Sequence, residues 1–136
     1  MKRLVPLLLL LALAVAACHK EPTDPAPAGA SLVGTEWLYS KTDTLWSDAD
    51  YMVLYNNFIL SFADTVSGTL AVEVAYLMDG TSYPAQTERS PFAYSFDGHE
   101  GTLTSQTLQG TWALSLPAPN TLRLPMESVH LDFSQR

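Results

Sequence analysis

From about Ser31 to the C-terminus, apolar and polar residues alternate with a period of two, and Gly, Asn, Asp or Pro interrupts the alternation every eight to twelve residues. A period of two puts successive side chains on opposite faces of an extended chain, so the pattern predicts short strands with one covered and one wet face. Trp37 and Tyr39 alternate with Glu36, Leu38 and Ser40. Phe58, Leu60 and Phe62 share one face, and Asp64 to Gly68 supplies a turn. Leu70, Val72, Val74 and Tyr76 then line a strand opposite Thr69, Ala71, Glu73 and Ala75. Phe92, Tyr94 and Phe96 repeat the pattern before an Asp97-Gly98 turn, after which Leu103 opens another apolar line. Trp112, Leu114 and Leu116 lead into a turn at Pro117 to Asn120, and Leu122, Leu124, Val129, Leu131 and Phe133 complete the series. The total is about eight strands.

One stretch reads two ways. Ser47 or Asp48 suits the cap of a short helix carrying Ala49, Met52 and Tyr55, whereas Tyr51, Val53 and Tyr55 favour a strand over the same residues, Ser47 to Asn57. Elsewhere no helical stripe longer than two turns occurs. The predicted fold is therefore all-β. About eight short antiparallel strands leave two raw edges unless the sheet curls and pairs its first strand with its last, so a small up-and-down β-barrel is the expected architecture. Such a barrel has room inside only for side chains or one small ligand.

The chain before this domain follows a different logic. Met1, Lys2 and Arg3 precede an uncharged, largely apolar run of about 14 residues, Leu4 to Ala17, which is too short for a spanning helix of about 20 and has the form of a secretory signal. Val15-Ala16-Ala17-Cys18 resembles the bacterial lipoprotein box. That resemblance implies cleavage before Cys18, lipidation of its thiol and acylation of the freed amine, which is in practice a permanent anchor. An ordinary secretory signal followed by a free cysteine is the other reading. After Cys18, Pro22, Pro25 and Pro27 prevent a regular element, and a proline-rich tether extends by about 3.1 Å per residue. Lys20 and Glu21 resemble the charged export signal of surface lipoproteins in the Bacteroidota. The expected organisation is a signal peptide over 1–17, a lipidated Cys18 and flexible tether over 18–30, and a barrel over 31–136.

Composition narrows the function. With 136 residues there is room for one domain of ordinary size. Seven Lys and Arg against fourteen Asp and Glu, a net charge of −7, make a poor ligand for phosphate backbones, so no nucleic-acid partner is expected. A single cysteine excludes a disulfide framework and any Cys-only metal site.

The segments GTEWLYS, LSFADTVSGTL, FAYSFDGHEGTLT and NTLRLP…VHLDFSQR together resemble the small lipocalin-like lipoproteins of the Bacteroidota. The resemblance implies a calycin-type barrel opened by a Gly-x-x-Trp strand. It also implies a lipid-anchored place in the outer membrane, on the periplasmic face or the cell surface. The chain is about fifty residues shorter than true lipocalins and lacks a clear C-terminal helix.

Three groups of residues invite a chemical reading. Ser128, His130 and Asp132 alternate on the polar face of the last strand, with Ser134 beyond them. Side chains two apart on a strand stand about 6.5 to 7 Å apart, too far for a nucleophile and its base, and no Gly-x-Ser-x-Gly elbow accompanies them. Asp97, His99 and Glu100 gather at a turn that Asp-Gly chemistry already explains. Asp43, Asp48 and Asp50 form an acidic loop without EF-hand spacing. No catalytic residue, metal site or cofactor is assigned. The remaining signal is aromatic. Trp46, Tyr51 and Tyr55, in or near a long connection after the first strand, are the candidate ligand-binding residues, expected to rim the open end of the barrel. The expectation is a non-enzymatic binding or accessory module for an apolar small molecule or an envelope protein. The alternative is a scaffolding lipoprotein whose filled barrel takes no small molecule.

Overall fold

The computed structural model describes residues 29–46 and 50–136; the signal peptide, Cys18, most of the tether and the candidate cap residues Ser47 and Asp48 lie outside them. Eight strands follow one another: β1 (Glu36–Trp46), β2 (Tyr51–Phe62), β3 (Ser67–Met78), β4 (Thr81–Phe96), β5 (Glu100–Ser105), β6 (Gly110–Ala118), β7 (Thr121–Met126) and β8 (Val129–Gln135). Each pairs antiparallel with its neighbour, and β1 pairs with β8 to close the barrel. That seam is short, joining Trp37 to Gln135 and Leu38 to Ser134. Beside it the Arg136 amide donates to the Glu36 carbonyl at 2.9 Å, and their side chains form an ion pair at 2.8 Å.

The interior is solid where the ring is complete. Trp37, Leu60, Phe62, Leu70, Phe92, Leu103, Leu114, Leu122, Leu124 and Phe133 are all buried, and each comes from the alternating set that the sequence pattern assigns to one face. Phe62 packs edge-on against Phe92 and Tyr94, with ring centroids 5.2 and 4.8 Å away. Leu32, ahead of β1, seals the base of this core, and Ala30, a residue placed in the tether by sequence, packs on it too. The base turns are held by aspartates. Asp64 Oδ1 accepts the Val66 and Ser67 amides at 2.9 and 2.7 Å, and Asp97 Oδ1 accepts those of His99 and Glu100 at 2.9 and 2.7 Å. Gly98 has φ +101°, and a Cβ there would stand 2.5 Å from the Gly29 amide nitrogen, so both the turn and the close approach of the entering chain require glycine.

Several expectations change. Tyr51 to Asn57 is strand, not helix, because each residue pairs in register with β1 and Met52 to Asn57 pair with β3 as well, and the aromatic and β-branched side chains suit a pleated surface. Ala71, expected to face solvent, is buried, whereas Val129, expected inside, is 58% exposed at the start of β8 where the ring has ended. Pro117 belongs to a bulge rather than a turn: Leu116 and Pro117 together oppose Leu122, and the turn that follows begins after Ala118.

The largest difference is in strand length. β4 has 16 residues, yet its pairing with β5 begins only at Phe92, leaving Thr81 to Pro91 paired to β3 alone. The Tyr94 amide donates to Val66 on the β3 side, so by alternation the amide position of Pro91 points toward β5. Proline has no donor to offer there, and the ladder to β5 stops beside it. β1 likewise runs on from Tyr39 to Trp46 beyond its short seam with β8. The upper halves of β1, β2, β3 and β4 therefore project past the closed ring as a four-stranded sheet with two open edges.

Candidate functional site

Register assigns each side chain of the projecting sheet to a face, because directly paired residues on adjacent antiparallel strands share one. The face continuous with the barrel interior carries Tyr39, Phe58, Val72 and Glu88 in the row above the core, then Lys41, Asn56, Val74 and Gln86. Above these come Asp43, Leu54, Tyr76 and Tyr83, and at the tip Leu45, Met52, Met78 and Thr81. A polar belt thus separates the core from an apolar tip. Within the belt Lys41 Nζ lies 2.9 Å from Asp43 Oδ1, and the Asn56 amide donates to Asp43 Oδ2 at 3.5 Å. The Asp43 hydrogen bond and charge hold the Lys41 pKa above its usual value.

Tyr83 reaches this face only through a bulge in which Pro84 and Ala85 oppose the single residue Ala75. The bulge turns Tyr83 from the outer to the inner face and stacks it on Tyr76, with centroids 4.5 Å apart and planes 12° from parallel. At the tip, Leu45, Trp46, Asp50, Tyr51, Met52 and Met78 surround a depression of about 170 Å³, room for one side chain.

Trp46, Tyr51 and Tyr55 are brought to one face of the sheet; Trp46 and Tyr51 border the tip depression, and Tyr55 stands apart from it. They stand on strands rather than in a connection, and register puts all three on the outer face of the sheet: Trp46 opposite Tyr51, and Tyr55 between Thr42 and Ala75. Trp46 and Tyr51 stack at 5.6 Å and 28°. Trp46 is 78% exposed and Tyr55 46%. Val53 and Leu77 fill the space between them on the same face, and the Asp79 amide donates to the Tyr51 carbonyl at 3.5 Å.

The tip is thus apolar on both faces; sequence alternation placed Tyr76 on the inner one but missed the rest of that face: Leu45, Met52, Leu54, Met78 and Tyr83. A signal for it exists. Tyr51 to Tyr55 and Val74 to Met78 are unbroken apolar runs, the form taken by strands covered on both sides rather than one. Among the described residues nothing covers either face at the tip.

The other candidate groups are held in structural roles. Asp132 accepts a two-point hydrogen bond from Arg123, Nε to Oδ1 at 2.7 Å and Nη2 to Oδ2 at 2.8 Å, which lowers its pKa. Its partner is thus a β7 arginine, and no hydrogen bond among the described residues links Ser128, His130 and Asp132. Asp97 spends its carboxylate on the backbone of its own turn, chiefly the Glu100 amide, which lowers its pKa. Among the described residues no three His, Cys, Asp or Glu side chains gather closely enough to hold a metal ion.

No family model matches the chain, and no curated protein or solved structure matches it either. The projecting sheet therefore has to be read from its own chemistry.

Proposed function

We propose that the chain is a non-enzymatic binding module of the bacterial cell envelope, anchored through Cys18, which engages an envelope protein through its projecting sheet. The observation that supports this reading is the exposed outer aromatic face, Trp46, Tyr51 and Tyr55, on a sheet that no other layer covers among the described residues. Contiguous apolar surface of this kind on a small domain marks an interaction site. A partner outside the barrel is favoured by the large side chains that fill the interior of the closed ring among the described residues. The same filled core supports the scaffolding alternative, in which the aromatic face contacts nothing.

A photo-cross-linking amino acid at position 46, in cells, separates the two. Docking predicts a discrete adduct that is absent when the same group replaces Thr104 on the short side of the barrel. No adduct at position 46 would leave scaffolding as the reading. The anchor is tested by azido-palmitate labelling, which Cys18→Ser should abolish.

A further inference from the structure

We infer that the outer face of the projecting sheet takes a cationic amphipathic segment of a partner protein, with its basic residues at the tip and its apolar residues over Trp46, Tyr51 and Tyr55. This rests on the docking role proposed above and specifies its chemistry. Three observations carry it.

Area decides between a segment and a second copy of the chain. At 78%, 46% and 36% exposure, Trp46, Tyr55 and Tyr51 together offer on the order of 350 Å² of aromatic surface. A stable protein–protein interface needs about 800 Å² from each partner, so this face suits one strand or helix rather than a whole folded body.

Charge decides what that segment carries. Asp79 lies beside Tyr51 at the tip. The cation on the outer face of the sheet is Arg89, at the foot, in the row of Leu38, Ile59 and Ala71. Aromatic faces next to carboxylates favour Lys or Arg through both charge and the ring quadrupole. Among the described residues a second copy could supply little of this, since Lys41, Arg123 and Arg136 are already engaged with Asp43, Asp132 and Glu36, which leaves Arg89. A lipid surface fits poorly as well, because the residues that would enter deepest are the aspartates of the hairpin ends.

The open edges are unsuited to strand addition, which directs attention to the face. β4 is blunted by Pro84, Pro91, a bulge, Glu88 and Arg89, and β1 turns the charges of Lys41 and Asp43 onto the inner face.

The test uses the purified full chain and dye-labelled synthetic peptides of about twelve residues, long enough to span the face in extended form. A Leu-Lys peptide, with Leu alternating with Ser along its length and Lys clustered at one end, is expected to bind saturably and to shift amide resonances around Trp46, Tyr51 and Tyr55. Leu-Glu and Ser-Lys counterparts should bind at least about tenfold more weakly, and Trp46→Ala with Tyr55→Ala should remove the preference. Equal binding of Leu-Lys and Leu-Glu, equal binding of Leu-Lys and Ser-Lys, shifts mapping to another surface, or no binding at all would each overturn the inference. So would Trp46-dependent uptake onto phosphatidylcholine vesicles, or Trp46-dependent dimerisation in sedimentation. An adduct at position 46 in cells without the peptide preference would retain docking and discard the cationic segment; no adduct would discard docking itself.

Discussion

The same four strands behave as two different materials along their length. In their lower halves β1 to β4 form one side of a closed ring, where Trp37, Leu60 and Leu70 meet Leu103, Leu114 and Leu122 across a filled interior. In their upper halves they stand alone, paired only to one another, with apolar side chains at the tip on both faces. The backbone ladder continues unchanged from one region to the other; what ends is the opposite wall, because β5 to β8 are short and Pro91 ends the ladder between β4 and β5. Main-chain pairing alone thus extends a sheet well past its core, but the extension gains little of the apolar burial that stabilises the ring. Buried core and exposed apolar surface are thus segregated along shared strands.

That contrast is broken most directly by removing core volume. Leu60→Ala and Leu122→Ala, both at fully buried positions, are expected to lower unfolding stability by about 2 to 5 kcal/mol in chemical denaturation. A cost near zero would mean the ring is not the stable body. Next in size is native-state hydrogen exchange: amides of Lys41 to Trp46, Thr81 to Tyr83 and Ala85 to Arg89 should exchange at least about tenfold faster than those of Leu60, Leu103 and Leu124, because the former lie on edges without a covering layer among the described residues. Uniform protection would show that the projection and the ring open as one unit.

A smaller effect concerns the base. The Tyr94 hydroxyl donates to the Asp64 carbonyl at 2.5 Å, and burial raises its pKa. Tyr94→Phe should cost about 1 kcal/mol while leaving exchange at the tip unchanged. Acid should act on the same region. The pKa values of Asp64, Asp97 and Asp132 are all lowered, by the Val66 amide, the Glu100 amide and Arg123 respectively. A carboxyl whose folded pKa is depressed contributes stability that is present above its unfolded value, about 3.9, and is lost as pH falls through the lower folded value. Thermal melts should therefore drop below about pH 4, and Asp97→Asn should flatten that dependence.

The ring was legible in the sequence because it has one wet face. Leu122 and Leu124 alternate with Thr121 and Arg123, and that alternation alone predicts a half-covered strand. The projection was not legible for two opposite reasons. Thr81 to Pro91 holds two prolines and no apolar alternation, since it is solvated on both faces and owes its extended form to pairing with β3. Tyr51 to Tyr55 has too many apolar residues to show a period, which left helix and strand open until pairing decided it. Trp46, Tyr51 and Tyr55 were singled out by residue type, but their common face follows from a register that composition does not contain.

The smallest expected effect on stability is also the one that defines the site. Trp46 stacks on Tyr51 across one strand pair at the end of a hairpin and is 78% exposed, so Trp46→Ala removes a cross-strand contact and no core volume. Such a pair is worth about 0.2 to 1 kcal/mol, and Tyr55→Ala should cost no more. Both variants should therefore melt within a few degrees of the parent chain while weakening its binding of the Leu-Lys peptide. If either instead destabilised the chain as much as Leu60→Ala, the aromatic face would be part of the fold's own support, and its exposure would no longer argue for a partner.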